Sequence, residues 1–235
     1  VGVDPDYEAL EMKVGSYINA EGKVVRDAAD AVGIVFKMEA IGSDVPANYP
    51  VALQGKTIAG YAVAIENVAT GRQVLNNAAM SSLVTTDATV TNGTQATDAL
   101  LTGIGEVAFM TTYNSWVNEH PLDGESLSSW YIPTVDQLGE FMGMLFKIGE
   151  VEPTGGQAFR EMPEFAFENG VMFDRDPIES VYYASCTVNG SKDISGVIIN
   201  VDKTTKQVLD AKASSLKVTG SSQKALCRPM ITIFK

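Results

Sequence analysis

The chain's one histidine, His120, stands beside two cysteines, Cys186 and Cys227, and 29 acidic residues against 17 basic ones. These are the groups with which it could do chemistry. One imidazole leaves a single candidate base for a nucleophilic triad and excludes a metal site built from several histidines. The cysteines have neither CxxC spacing nor a histidine close in sequence, so they do not read as a structural zinc site. Each lies in an apolar, strand-like run, YYASCTV and ALCRPMITIF, which suits two buried small side chains. A disulfide between Cys186 and Cys227 on neighbouring strands is the alternative, and it would need an oxidising compartment.

Glu150, Glu152, Glu161, Glu164, Asp174, Asp176 and Glu179 crowd the next candidate region. A glycoside hydrolase needs two carboxylates about 5 to 10 Å apart across a cleft, and sequence order places no two of these face to face. They could supply oxygen ligands for calcium, but the D-x-[DN]-x-[DN]-G loop is missing. Asp174-Arg175-Asp176 reads instead as a self-paired surface turn.

Two further motifs fail on context. Residues 103–108, GIGEVA, match G-x-G-x-x-A, and Asp123 follows at about the spacing of a ribose-binding acid. That acid should end a second parallel strand, yet EHPLDGESLSS (119–129) reads as a polar loop. Ser214-x-x-Lys217 and Ser221-x-x-Lys224 match S-x-x-K but sit in a Ser- and Lys-rich turn region without K-T-G or S-D-N elsewhere. The sequence therefore points to no catalytic residue, no resident metal and no cofactor.

The net charge of −12 disfavours nucleic acid and anionic membrane surfaces, because the 17 basic residues are scattered along the chain. No apolar run approaches the about 18 residues that span a bilayer. The start, VGVDPDYEAL, shows no basic n-region and no apolar h-region.

The elements that must position any site follow from periodicity. MKVGSYINAEGKVV (12–25) reads as a hairpin turning at Asn19 and Gly22, and VGIVFKMEA (32–40) as a buried strand. GKTIAGYAVAIENV (55–68) is a further strand, and residues 70–96 are an excursion with little regular structure. A first helix falls within 97–118, with Leu100, Ile104, Val107, Ala108, Trp116 and Val117 toward one face. A second begins at Thr134, where Gln137 completes a capping box and Pro133 can staple onto Leu138. Its stripe is Leu138, Phe141, Met142, Leu145 and Phe146, and Gly149 ends it. Residues 150–179 are expected to be a long-loop region. Strands then return as an antiparallel meander: SVYYASCTV, turning at Asn189-Gly190 into ISGVIINVD, then KTTKQVLDAK and ALCRPMITIF. The class is α+β, as one domain over residues 1–235.

Trp130-Tyr131-Ile132-Pro133-Thr134 with Gln137-Leu138 resembles the "WYLPS…EL" signature of Fibrobacter-type major paralogous domains and related modules of Bacteroidetes lipoproteins and fimbrial tip proteins. Val14-Gly15-Ser16-Tyr17 with Glu21-Gly22-Lys23-Val24 is similar to that group's opening hairpin, and Val32-Gly33-Ile34-Val35-Phe36 to its "IGIVF" strand. Tyr182-Tyr183-Ala184-Ser185 and Cys227-Arg228-Pro229-Met230 resemble its "YWSS" and "VRPV" strands. The resemblance implies a C-type-lectin-like fold, with two helices packed on a twisted antiparallel sheet whose terminal strands lie close together. It also implies a non-catalytic, adhesin-like or ligand-binding role at a bacterial surface, with a glycan or protein as partner. The E-P-N, Q-P-D and W-N-D motifs of calcium-dependent lectins are not in this chain. Expected contacts lie in 150–179, at Phe159, Arg160, Phe165, Asp174, Arg175 and Asp176. Trp130, Tyr131, Pro133, Thr134 and Gln137 are expected to build a structural corner. The alternatives are a carbohydrate- or peptidoglycan-active enzyme using loop carboxylates, and a pilus or assembly subunit.

Overall fold

The structure, a computed structural model, describes residues 10–72, 93–95, 97–98, 108–141, 171–175, 178–188, 194–202, 204, 208–216 and 225–235. It begins with the expected hairpin, β1 (Tyr17–Ile18) against β2 (Val24–Val25). The Asn19 carboxamide sets the turn by accepting from the Glu21 and Lys23 N–H groups at 3.1 and 3.0 Å. Gly22 follows at φ +80°, a conformation that side chains resist, and a Cβ there would lie 2.9 Å from Leu127.

β1 continues onto β3 (Gly33–Lys37), which pairs with β4 (Ile58–Ala64), which pairs with β11 (Met230–Phe234). This first sheet is antiparallel throughout, in the order β11-β4-β3-β1-β2. The first and last strands are not neighbours, since β3 and β4 lie between them. A second sheet has the order β5 (Val68–Arg72), β10 (Ala225–Cys227), β7 (Ile178–Val188), β8 (Ile194–Asp202), β9 (Val208–Leu216), and β6 (Val171–Arg175) also pairs with β7. Mixed α+β architecture with predominantly antiparallel sheets is what the sequence led us to expect.

Why β3 and β4 read as continuous apolar runs is now visible: both of their faces are covered. Alternate residues feed two separate cores. Val35, Ala62, Ala64, Ile231 and Ile233 join one cluster; Ile34, Phe36, Tyr61, Val63 and Met230 join the other. The helices divide in the same way. α2 (Ala108–Glu119) contributes Tyr113 and Trp116 to the first core. Helix α3, described over residues 135–141, contributes Leu138 and Phe141 to the second, beside a short α1 (Val51–Gln54) that places Leu53 there. None of these helices is long and apolar enough to cross a membrane among the described residues.

The chain departs from the sequence expectation in three places. ALCRPMITIF is not a fourth strand of the meander; it splits into β10, which pairs with β7 in parallel and with β5 in antiparallel, and β11 in the other sheet. Pro229 offers no N–H to a ladder, and the buried Arg228 side chain fills the bend. There it donates from Nε to Asn67 Oδ1 at 2.8 Å and from Nη1 to the Ala64 carbonyl at 2.9 Å. Both acceptors lie in or beside the bend between β4 and β5, so two bent strand pairs turn together. Second, the segment 150–179 is not loop throughout: residues 171–175 form β6, so Asp174 and Arg175 lie in a strand, opposite Glu179 and Ile178 of β7. Third, Ser214 lies in β9, paired with Gly196, rather than in a turn. The helix expected within 97–118 is described as α2 from Ala108, and residues 99–107, with most of the glycine motif, lie outside the described residues. So do Asn189-Gly190 and most of the excursion at 73–92. The meander β7-β8-β9 is antiparallel as expected.

Candidate functional site

Residues 126–132 run extended along the open edge of β11, with bridges at Leu127–Ile233 and Tyr131–Met230. Extended backbone points successive side chains to opposite faces. Trp130 and Ile132 therefore enter the first core and Tyr131 the second. The chain then turns into α3 through a reciprocal capping box. Thr134 N–H donates to Gln137 Oε1 at 3.0 Å, and Gln137 N–H donates to Thr134 Oγ1 at 3.3 Å. Thr97 Oγ1 clamps the corner by accepting from Ile132 N–H at 2.8 Å. Gly93 lies so close that a Cβ would fall 2.4 Å from the Tyr131 ring. The five corner residues, Trp130, Tyr131, Pro133, Thr134 and Gln137, are all buried.

From this corner a buried polar chain crosses the second core. Gln137 Nε2 donates to Tyr131 Oη at 3.1 Å. Tyr131 and Tyr49 each contact Thr232 Oγ1, at 3.0 and 2.8 Å. Tyr49 in turn donates to Asp44 Oδ2 at 2.5 Å. The two ends fix every proton between them. Because Tyr49 gives its proton to the carboxylate, Thr232 must donate to Tyr49, and Tyr131 must donate to Thr232. Tyr61 also donates to Asp44 Oδ2, at 2.7 Å, and Asn48 Nδ2 to Oδ1 at 3.3 Å. Burial holds the Tyr49, Tyr61 and Tyr131 hydroxyls well above the ordinary tyrosine range, reinforced by Asp44 in all three and by a neighbouring tyrosine for Tyr49 and Tyr131. They stay protonated and serve as donors.

A second constellation lies at the C-terminal end of α2. His120 stacks on Trp116 with ring centroids 4.2 Å apart and an interplanar angle of 17°. Its Nε2 is 2.6 Å from Glu66 Oε1, its Nδ1 is 2.7 Å from the Trp116 carbonyl, and Trp116 Nε1 donates to the same Glu66 oxygen at 3.0 Å. Trp130 meets Trp116 edge-on at 5.2 Å and donates from Nε1 to the His120 carbonyl at 2.8 Å. A general base needs a ring nitrogen free for its nucleophile. Both nitrogens of His120 are engaged with acceptors, so this arrangement orients a ring and does not activate a hydroxyl or thiol.

Cys186 and Cys227 are free thiols, fully buried in the first core. Burial pushes the Cys186 thiol up to about 12, and burial with Cys186 nearby raises that of Cys227. Neither is a thiolate nucleophile near neutrality. We expect both to resist alkylation by iodoacetamide at pH about 8 in the folded protein and to react fully once it is unfolded. Mass spectrometry of the two samples checks this; rapid native labelling of either thiol would contradict its burial.

Of the expected contact residues, Asp174 and Arg175 have a described backbone, opposite Glu179 and Ile178 at the end of the β6–β7 hairpin. Phe159, Arg160, Phe165 and Asp176 lie outside the described residues. Among the described residues no three His, Cys, Asp or Glu side chains gather to hold a metal ion. Sequence reading missed Asp44, Tyr49, Tyr61 and Glu66 as polar centres. A lone acid in SDVPANYP gives no sign that Tyr49 of the same loop and Tyr61 of β4 will both close on it. Comparison with family models, curated proteins and solved structures finds no match to the chain.

Proposed function

We propose that this chain is a non-catalytic ligand-binding or adhesin-like module of a bacterial envelope protein, built on a C-type-lectin-like frame and acting at the cell surface or outer membrane. One observation carries the reading: the five stretches that resemble the surface-domain signature are neighbours in space. β1, with its hairpin, pairs with β3. The corner residue Tyr131 bridges to Met230. Pro133's carbonyl accepts from Cys186 N–H at 2.9 Å, and Leu226 pairs with Tyr183. The motif set thus describes one structural frame, and it leaves ligand contact to the chain between α3 and β7. Its partner is a glycan or a protein of the surface environment, and no cofactor is required.

The pilus-subunit alternative calls for a terminal strand open to another subunit. The outer edge of β11 is instead bridged by Leu127 and Tyr131, which weighs against that route. A glycan array together with a pull-down from host mucus tests the proposal. Wild-type protein should bind one of the two, and Phe159→Ala, Arg160→Ala or Phe165→Ala should weaken binding about tenfold or more at a true anchor. Binding to neither, with hydrolysis of a glycan, would establish the enzyme alternative.

A further inference from the structure

We propose that β9 is a homodimer interface, on which a second copy of this chain pairs its own β9 antiparallel about a two-fold axis through Ala211. The second sheet ends at this strand: β8 pairs with it on one side, and no strand lies on the other among the described residues. At nine residues it presents a long row of backbone N–H and C=O groups, to which a further strand can bond. The other sheet ends are short or covered. β2 has two residues, β6 has five, β5 packs against α2, and the outer edge of β11 is bridged by Leu127 and Tyr131.

The strand's own sequence selects the occupant. Its register to β8 places Asp210 opposite Asn200, Ala211 opposite Ile199 and Lys212 opposite Ile198, so Asp210 and Lys212 share one face of the sheet and Ala211 takes the other. A two-fold axis normal to the sheet keeps the faces of the two copies matched. Centred on Ala211, it sets Asp210 of each copy opposite Lys212 of the other, giving two opposite-charge pairs of the kind that stabilise an antiparallel ladder. Moving the axis to Asp210 or to Lys212 sets like charges opposite each other, which disfavours both of those registers. A lysine on a sheet edge ordinarily discourages pairing; the aspartate two residues before it makes one register with a second copy complementary. Leu209, the extra residue at the register shift beside Asp210, is 48% exposed and adds an apolar side chain to the same stretch. An interface of this kind uses the same patch on both copies, so it closes at two and builds no fibre.

Two copies that each carry a net charge of −12 repel one another at low salt, so association is read at about 0.15 M, where charges are screened beyond about 8 Å. Sedimentation velocity over a concentration series should show the wild-type protein passing from monomer to dimer. Asp210→Lys and Lys212→Asp each set like charges opposite one another twice, and each should weaken the dimer about tenfold or more. The double variant Asp210→Lys/Lys212→Asp restores both pairs and should recover it. An equimolar mixture of the two single variants should form a heterodimer at concentrations where neither associates alone. Circular dichroism checks that each variant is folded. Wild-type protein that stays monomeric at every concentration, folded single variants that dimerise as well as wild type, or a folded double variant that fails to recover would each overturn the proposal.

Discussion

Trp130→Ala is expected to lower the unfolding free energy by about 3–5 kcal/mol, the range for removing a large aromatic from a packed core. Trp130 is 5% exposed. It packs edge-on against Trp116 and donates its indole N–H to the His120 carbonyl at 2.8 Å. Alanine leaves a cavity between α2 and the sheet and removes the donor together. Trp130→Phe keeps a ring in the same space and loses mainly the hydrogen bond, so its cost should be clearly smaller, about 1–3 kcal/mol. Urea denaturation followed by circular dichroism separates the two. Should Trp130→Ala unfold at the wild-type midpoint yet lose ligand binding, the residue is a contact and the structural account of the corner is wrong.

That corner was legible in the sequence because its signals are local. Thr134 and Gln137 are three residues apart, and a capping box needs nothing beyond that spacing. The hairpin at Asn19 and Gly22, and the buried strand at 33–37, were legible for the same reason. Strand partners were not. ALCRPMITIF has one hydrophobic pattern throughout, yet Arg228-Pro229 divides it between two sheets, with β10 and β11 meeting strands over 100 residues earlier. Nothing in an apolar run names its neighbour. The polar centres were hidden for a related reason. Glu66, Trp116 and His120 converge across 50 residues of sequence, and Asp44 meets Thr232 only through Tyr49. An isolated acid between strands reads as a solvated loop until the fold brings donors to it.

Asp44→Ala is the second large effect, because the donor chain ending at Asp44 has no other place to deliver its last proton. Without the carboxylate, Tyr49 could turn its proton to Thr232, and Thr232 could turn to Tyr131. Tyr131 would then need an acceptor, but it faces the Gln137 amide nitrogen, a donor. Flipping that amide would break the capping box, since Gln137 Oε1 accepts from Thr134 N–H. One hydroxyl is therefore orphaned wherever the chain reorients, and Tyr61, whose proton also goes to Asp44, is a second. At about 1–3 kcal/mol for each buried orphan, the variant should lose about 2–6 kcal/mol. Asp44→Asn should recover most of this. Tyr49 and Tyr61 both use Oδ2, so a carboxamide oxygen in that place accepts from both, while the contact to Asn48 Nδ2 turns unfavourable. Denaturation midpoints of the two variants give the test. Equal costs for alanine and asparagine would show that the buried charge, and not the hydrogen-bond count, is what the tyrosines require.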